Sequence, residues 1–208
     1  MRILYRNSMI LFMLTSILTS CGSNQSDSKL QVSAKSGFMS QWNSSIQNQG
    51  KQDLESLELS TDKFTGENTY ALKGSDKSPV VLGKFNFSFD VYKENESTDF
   101  LPMISIGWGA KEWKFMESVD MKVGTEVIHP KVFDDEPFRK VADAGYVIEL
   151  LRLELTDDEV NILATANNKS DIAIRINGEL FDETTLTEVE FNGMKKVLSA
   201  YRYLKKNK

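Results

Sequence analysis

The chain has 208 residues, with 25 Lys and Arg against 30 Asp and Glu, one histidine, one cysteine and a formal net charge of −5. That length is enough for one sizeable core and argues for one domain rather than two. The acidic balance, with no basic stretch interleaved with aromatics, excludes nucleic acid as a natural partner and disfavours broad adhesion to anionic lipid. A single cysteine permits no intramolecular disulfide, so the fold must hold by packing.

Arg2 and Arg6 form a basic head, Met9 to Leu14 with Ile17 and Leu18 form an apolar stretch, and small residues close it. The stretch is too short to span a bilayer as a stop-transfer helix, so residues 1–20 read as a removable export signal. Leu18-Thr19-Ser20-Cys21 resembles the lipobox of bacterial lipoproteins. The resemblance implies that the Cys21 thiol is alkylated with diacylglycerol, that the chain is cut before it, and that the new amine is acylated. Acyl chains contribute about 0.8 kcal/mol per buried methylene, so a multiply acylated terminus stays on the membrane. Cys21 could instead be an ordinary buried residue, but a free thiol is hazardous in an oxidising compartment, and the polar run after it offers no core. Gly22 stands where enteric lipoproteins of the inner membrane carry aspartate, which favours the outer membrane, facing the periplasm. Cleavage also removes two arginines and no acid, taking the net charge from −5 to −7.

Residues 21–37 are rich in Ser, Asn, Gln, Lys and Asp and read as a lipid-anchored flexible tether with a reach of roughly 20 Å. A single domain is expected over 38–208. Its first clear signal is period two: Phe85, Phe87, Phe89 and Val91 alternate with Asn86, Ser88 and Asp90, as in a half-buried antiparallel strand. Pro102 to Trp108 repeats the pattern with Ile104 and Ile106. Gly109 to Glu112 turns, and Trp113 to Val123 returns with Trp113, Phe115, Val119, Met121 and Val123 on one parity.

Further strands are predicted at Thr69–Leu72, Tyr146–Leu155, Asp171–Ile176 and Glu179–Asp182. Asn177-Gly178 joins the last two as a type I′ hairpin turn, in which both central residues need positive φ. Asn95–Asp99 and His129–Pro137 read as loops. Thr156-Asp157-Asp158-Glu159 and Thr187-Glu188-Val189-Glu190 are capping boxes, with Leu155/Val160 and Leu186/Phe191 placed as hydrophobic staples. The first opens a short helix. The second opens a C-terminal helix with Phe191, Met194, Leu198 and Tyr201 on one stripe and lysines at its end. The expected fold is α+β and mainly β: an antiparallel β-sandwich or open barrel of about seven strands with these two helices.

Trp113-x-Phe115-x-x-Ser118-Val119, Glu149, the capped short helix, Ile174-Arg175-x-x-Gly178 and the closing helix together resemble a large group of exported bacterial β-sandwich proteins. Asp62-Lys63-Phe64-Thr65-Gly66 looks like the entry to the sandwich in such chains. The resemblance covers about two thirds of the mature chain and implies a fold and an exported address. No activity attaches to the group.

The chemistry-bearing residues are few. A nucleophile system needs a histidine base, and the chain offers only His129, before Pro130 in a predicted loop. The ligand set of a zinc site is missing, and Asp134-Asp135-Glu136 lacks the spacing and turn glycine of an EF-hand, so no metal and no cofactor is expected. Gly107-Trp108-Gly109 reads as hairpin punctuation. Trp108 and Trp113 flank a turn, and they form either a stacking platform for a sugar or peptide or part of the core. Glu117 falls on the apolar parity, so a bulge turns it out or a partner meets it. Glu149 and Arg175 are charges on strands among apolar neighbours, Arg175 across from Leu180 and diagonal to Asp182, and a structural ion pair is the expected role of each.

The expectation for function is a lipid-anchored envelope protein working as a non-catalytic binding or assembly module. The favoured partner is another envelope protein, with a glycan second. The alternative is an envelope hydrolase using surface carboxylates, with glycans as the substrate class and a pocket carboxylate such as Glu149 as the residue to change.

Overall fold

The computed structural model describes residues 44–73, 80–94, 97–133 and 136–207, which belong to one compact unit. The export segment, Cys21, the tether of 21–37, the predicted domain start at 38 and the acids Asp134 and Asp135 lie outside the described residues.

Two antiparallel sheets share one apolar core. In chain order the elements are α1 (Ser44–Glu55), β1 (Leu57–Thr61), β2 (Asn68–Leu72), β3 (Asn86–Lys93), β4 (Leu101–Ala110), β5 (Ser118–Val123), β6 (Glu126–Ile128), β7 (Lys131–Val132), β8 (Phe138–Val141), β9 (Val147–Glu154), α2 (Asp157–Thr165), β10 (Ile172–Asn177), β11 (Asp182–Thr184) and α3 (Glu188–Lys206). The larger sheet runs β1-β2-β3-β4-β9-β7, with β8 also on β9; the smaller runs β11-β10-β5-β6. Neither closes on itself, so the architecture is an open sandwich, mainly β, with a helix at the end of the chain.

Alternation decides which residues face inward. Phe87, Phe89 and Val91 of β3, Ile104 and Ile106 of β4, and Leu151 and Leu153 of β9 line the larger sheet's inner face. They join Val119, Met121 and Val123 of β5 and Ile172, Ile174 and Ile176 of β10 in one buried cluster. Each such side chain contributes on the order of 2 kcal/mol when taken out of water. The stripe Phe191, Met194, Leu198 and Tyr201 of α3 is buried in the same cluster.

Both capping boxes form, and the staple residues Leu155, Val160, Leu186 and Phe191 are all buried. Glu190 has a second task beyond its box. One of its oxygens takes the Thr187 N–H and the other takes the N–H of Phe87 at 2.7 Å, so the start of α3 is fastened to the start of β3. Lys195 of α3 donates to the carbonyls of Ala164 and Ala166 and closes the C-terminus of α2.

The structure corrects several sequence expectations. Eleven strands and three α-helices are present among the described residues, against about seven and two. Helix α1 was not expected because SSIQNQGKQDLE has little apolar face and a central glycine. That glycine is what lets it pack: a Cβ on Gly50 would stand 2.9 Å from Tyr203 Cβ on α3. The edge beside β9 is a broken strand, with β7 pairing its C-terminal end and β8 its N-terminal half.

The strand expected from Trp113 begins only at Ser118, since Phe115 adopts φ 53 and breaks the alternation. Met116 is therefore buried and Glu117 exposed, and Glu117 is turned out ahead of the strand, not by the expected bulge within it. Asn177-Gly178 is not a type I′ turn, because neither residue has positive φ; the closing pair of that hairpin is Ile176 with Asp182, and β11 lies at 182–184 rather than 179–182. The tight two-residue turn is instead Gly124-Thr125, closed by Val123 and Glu126, with Gly124 at φ 61.

Candidate functional site

Glu149 organises one end of the sandwich. It sits on β9 with inner parity, between Trp108 of β4 and Arg139 of β8, and is fully buried. A carboxylate there is very costly unless every oxygen is met. One oxygen accepts the N–H groups of Lys114 and Phe115, the latter at 3.1 Å. The other accepts Met116 N–H at 3.0 Å and Arg139 Nε at 3.4 Å. Three successive N–H groups converge on one anion because Phe115 is left-handed, the geometry of a backbone nest. Arg139 also donates to the Met116 carbonyl at 2.9 Å and lies over the Phe115 ring. Glu149 is thus a clamp on segment 114–116. With its oxygens so engaged it is not placed to exchange protons with a substrate.

The clamp presents the turn after β4. Trp108 Nε1 donates to the Glu112 carbonyl at 3.0 Å, Phe85 packs on the indole at 4.8 Å between centroids, and Lys114 Nζ lies over the ring at 5.1 Å. Lys114 is held in turn by Asp182 at 3.0 Å. Trp113 is half-buried and packs at a tilt against Phe115, 5.9 Å away. A hollow of about 360 Å³ opens between these residues, walled by Trp108, Lys111, Glu112, Trp113, Lys114, Glu179 and Leu180. A second hollow of about 430 Å³, formed by residues 177–181, adjoins it through the shared Glu179 and Leu180. Leu180 is 78% and Phe181 67% exposed, so this trough has a large apolar rim open to solvent.

Of the four residues singled out from the sequence, Trp108, Trp113 and Glu149 meet at this end. Arg175 does not join them. It points from the solvent face of the smaller sheet, where it pairs with Glu183 at 2.9 Å and lies over the Phe181 ring. The register places Glu183 opposite it, which corrects the expected placement across from Leu180. Arg139, Lys114, Leu180 and Phe181 were missed. The exposed Leu180-Phe181 pair lies just beyond Gly178 and Glu179, but it reads as a strand until the close approach of Gly178 to another segment is known.

Arg175 borders the larger hollow of about 680 Å³ on the smaller sheet, with Asp120, Lys122 and Thr184. There His129 Nδ1 meets Asp120 at 2.7 Å and Asn177 donates to the same carboxylate. Partial burial raises the Asp120 pKa, but these hydrogen bonds outweigh it and hold the carboxyl below its usual range. On the outer face of the larger sheet, burial pushes Asp90 up to about 6, only partly opposed by Arg152. Its Oδ1 is buried with no hydrogen-bond partner. Among the described residues no three His, Cys, Asp or Glu side chains are grouped as metal ligands.

No protein-family model, curated protein or solved structure matches this chain, so the site is read from its own geometry.

Proposed function

We propose that the protein is a lipid-anchored component of the bacterial envelope, held through acylated Cys21 and facing the periplasm from the outer membrane, and that it works as a non-catalytic docking module for another envelope protein. The observation that carries this reading is the rim of the trough. Leu180 and Phe181 stand in water near the half-buried Trp113, at the end of the sandwich where the buried Glu149 carboxylate fixes segment 114–116. Large apolar side chains grouped on a rigid surface favour protein contact, because their burial supplies the free energy of association. The hydrolase alternative loses its named carboxylate, since Glu149 is enclosed by backbone amides and Arg139.

The test is a photo-crosslinking residue placed at Phe181 in the full-length chain, expressed in its own cell type. Capture of one recurrent envelope protein at Phe181, but not at the still more exposed Val189 on α3, supports docking at this rim. Equal labelling at both positions, or none at either, removes the reading.

A further inference from the structure

Resting on that docking reading, we infer that the trough takes an extended peptide segment in which a large apolar residue lies next to a lysine or arginine. Shape argues for an extended occupant, because two neighbouring hollows share Leu180 and Glu179 as walls and an occupant that reaches both must span them. Chemistry argues for peptide over sugar. A sugar ring stacks on an open indole face, whereas Trp108 is already packed against Phe85 and covered by the Lys114 ammonium. Leu180 and Phe181 are exposed apolar walls that receive an aliphatic or aromatic group, and the exposed Lys111, Glu112 and Glu179 set charge beside them.

Charge selects the flanking residue. Lys114 is neutralised by Asp182. The side chains of Lys111, Glu112 and Glu179 have no hydrogen-bond or ion-pair partner among the described residues, so the charge the trough leaves unmatched is one cation against two carboxylates. A cation on the occupant meets that surplus and sets orientation, while the apolar anchor between Trp113 and Leu180 supplies most of the affinity.

The experiment uses the full-length chain in detergent and a displayed library of short random peptides as the probe. Selection should return peptides with a large apolar residue close in sequence to Lys or Arg. Those peptides should bind about tenfold more weakly to the double variant Glu112→Lys, Glu179→Lys, and also to Leu180→Ser. Glu188→Lys, on α3, should bind them as the parent does. The charge variant should melt with the parent, since neither carboxylate holds anything in place. Selected peptides that are acidic or uncharged, binding indifferent to the charge reversal, or displacement of the peptides by short envelope oligosaccharides or phospholipid vesicles would each overturn the inference. Crosslinking at Phe181 that still captures a protein in that case leaves docking in place and removes only the peptide preference.

Discussion

Gly178 and Phe115 approach so closely that a Cβ built on Gly178 would stand 2.5 Å from the Phe115 carbonyl oxygen and equally near that of Lys114. The β10–β11 connection therefore lies directly on the segment that Glu149 clamps. Glycine is required here for space and not for conformation, as its φ is not positive. The opposite holds at Gly124, which has φ 61 and nothing within 4 Å of a Cβ.

Gly178→Ala should accordingly be the more damaging of two similar changes. It forces backbone apart and is expected to cost about 2–3 kcal/mol, a fall of roughly 4–10 °C in Tm for a chain of this size. Gly124→Ala meets only left-handed strain of about 1 kcal/mol. Thermal unfolding of the two variants side by side gives the answer, and a Gly124→Ala loss equal to or larger than that of Gly178→Ala sinks the argument.

Glu149→Gln tests the clamp itself. The amide keeps the shape but replaces one acceptor oxygen with a donor, leaves Arg139 without its counter-charge, and faces buried N–H groups with N–H. Breaking one side of a buried charged network costs about 3–5 kcal/mol. Hydrogen exchange should show the amides of Lys114, Phe115 and Met116 losing protection far more than those of β3. A uniform rise in exchange across the sandwich, with no excess at 114–116, contradicts a local clamp.

Much of the fold was legible because it is built from local rules. The alternation from Phe85 to Val91 and the two capping boxes need only neighbours in sequence, and they are present as read. What escaped depends on contacts distant in sequence. Phe115 is left-handed where Glu149, 34 residues away, binds three successive N–H groups, and this arrangement interrupts the predicted strand ahead of the exposed Glu117. Asn177-Gly178 carried a strong local turn signal, but the glycine serves packing against Lys114 and Phe115 instead. Helix α1 is weak in intrinsic pattern and is held by its fit to α3 at Gly50. At the site, the paired tryptophans were legible as flanking a turn; the cations over Trp108 and Phe115, and the exposed Leu180 and Phe181, follow from the tertiary approach of two hairpins.

Asp90 should make stability depend on pH. Its carboxyl titrates near 3.8 unfolded and is pushed up to about 6 by burial in the fold, so the folded state binds the proton more tightly. The penalty for the charged form is absent below about pH 4, grows as pH rises, and is complete above about 6. One pKa unit corresponds to about 1.4 kcal/mol, and partial solvation lowers the net effect to on the order of 1–2 kcal/mol. Asp90→Asn removes the charge at constant shape. Its Tm should exceed the parent's at pH 7 by a few degrees and match it at pH 4; parallel Tm curves for the two proteins between pH 4 and 6 would count against this assignment.

Cys21→Ala addresses the proposed anchor. Two or more acyl chains hold a protein stably, whereas the net negative charge of the chain gives no attraction to anionic lipid that would replace them. The parent should take up labelled palmitate and sediment with membranes even in high salt. The variant should take up none, and should either accumulate with its export segment uncut or appear in the soluble periplasmic fraction. Because the change lies outside the described domain, the released variant should keep the parent's melting temperature, which separates loss of the anchor from loss of the fold. A Cys21→Ala protein that is processed normally and still sediments with membranes in high salt would show that something other than acylation at this residue holds the chain there.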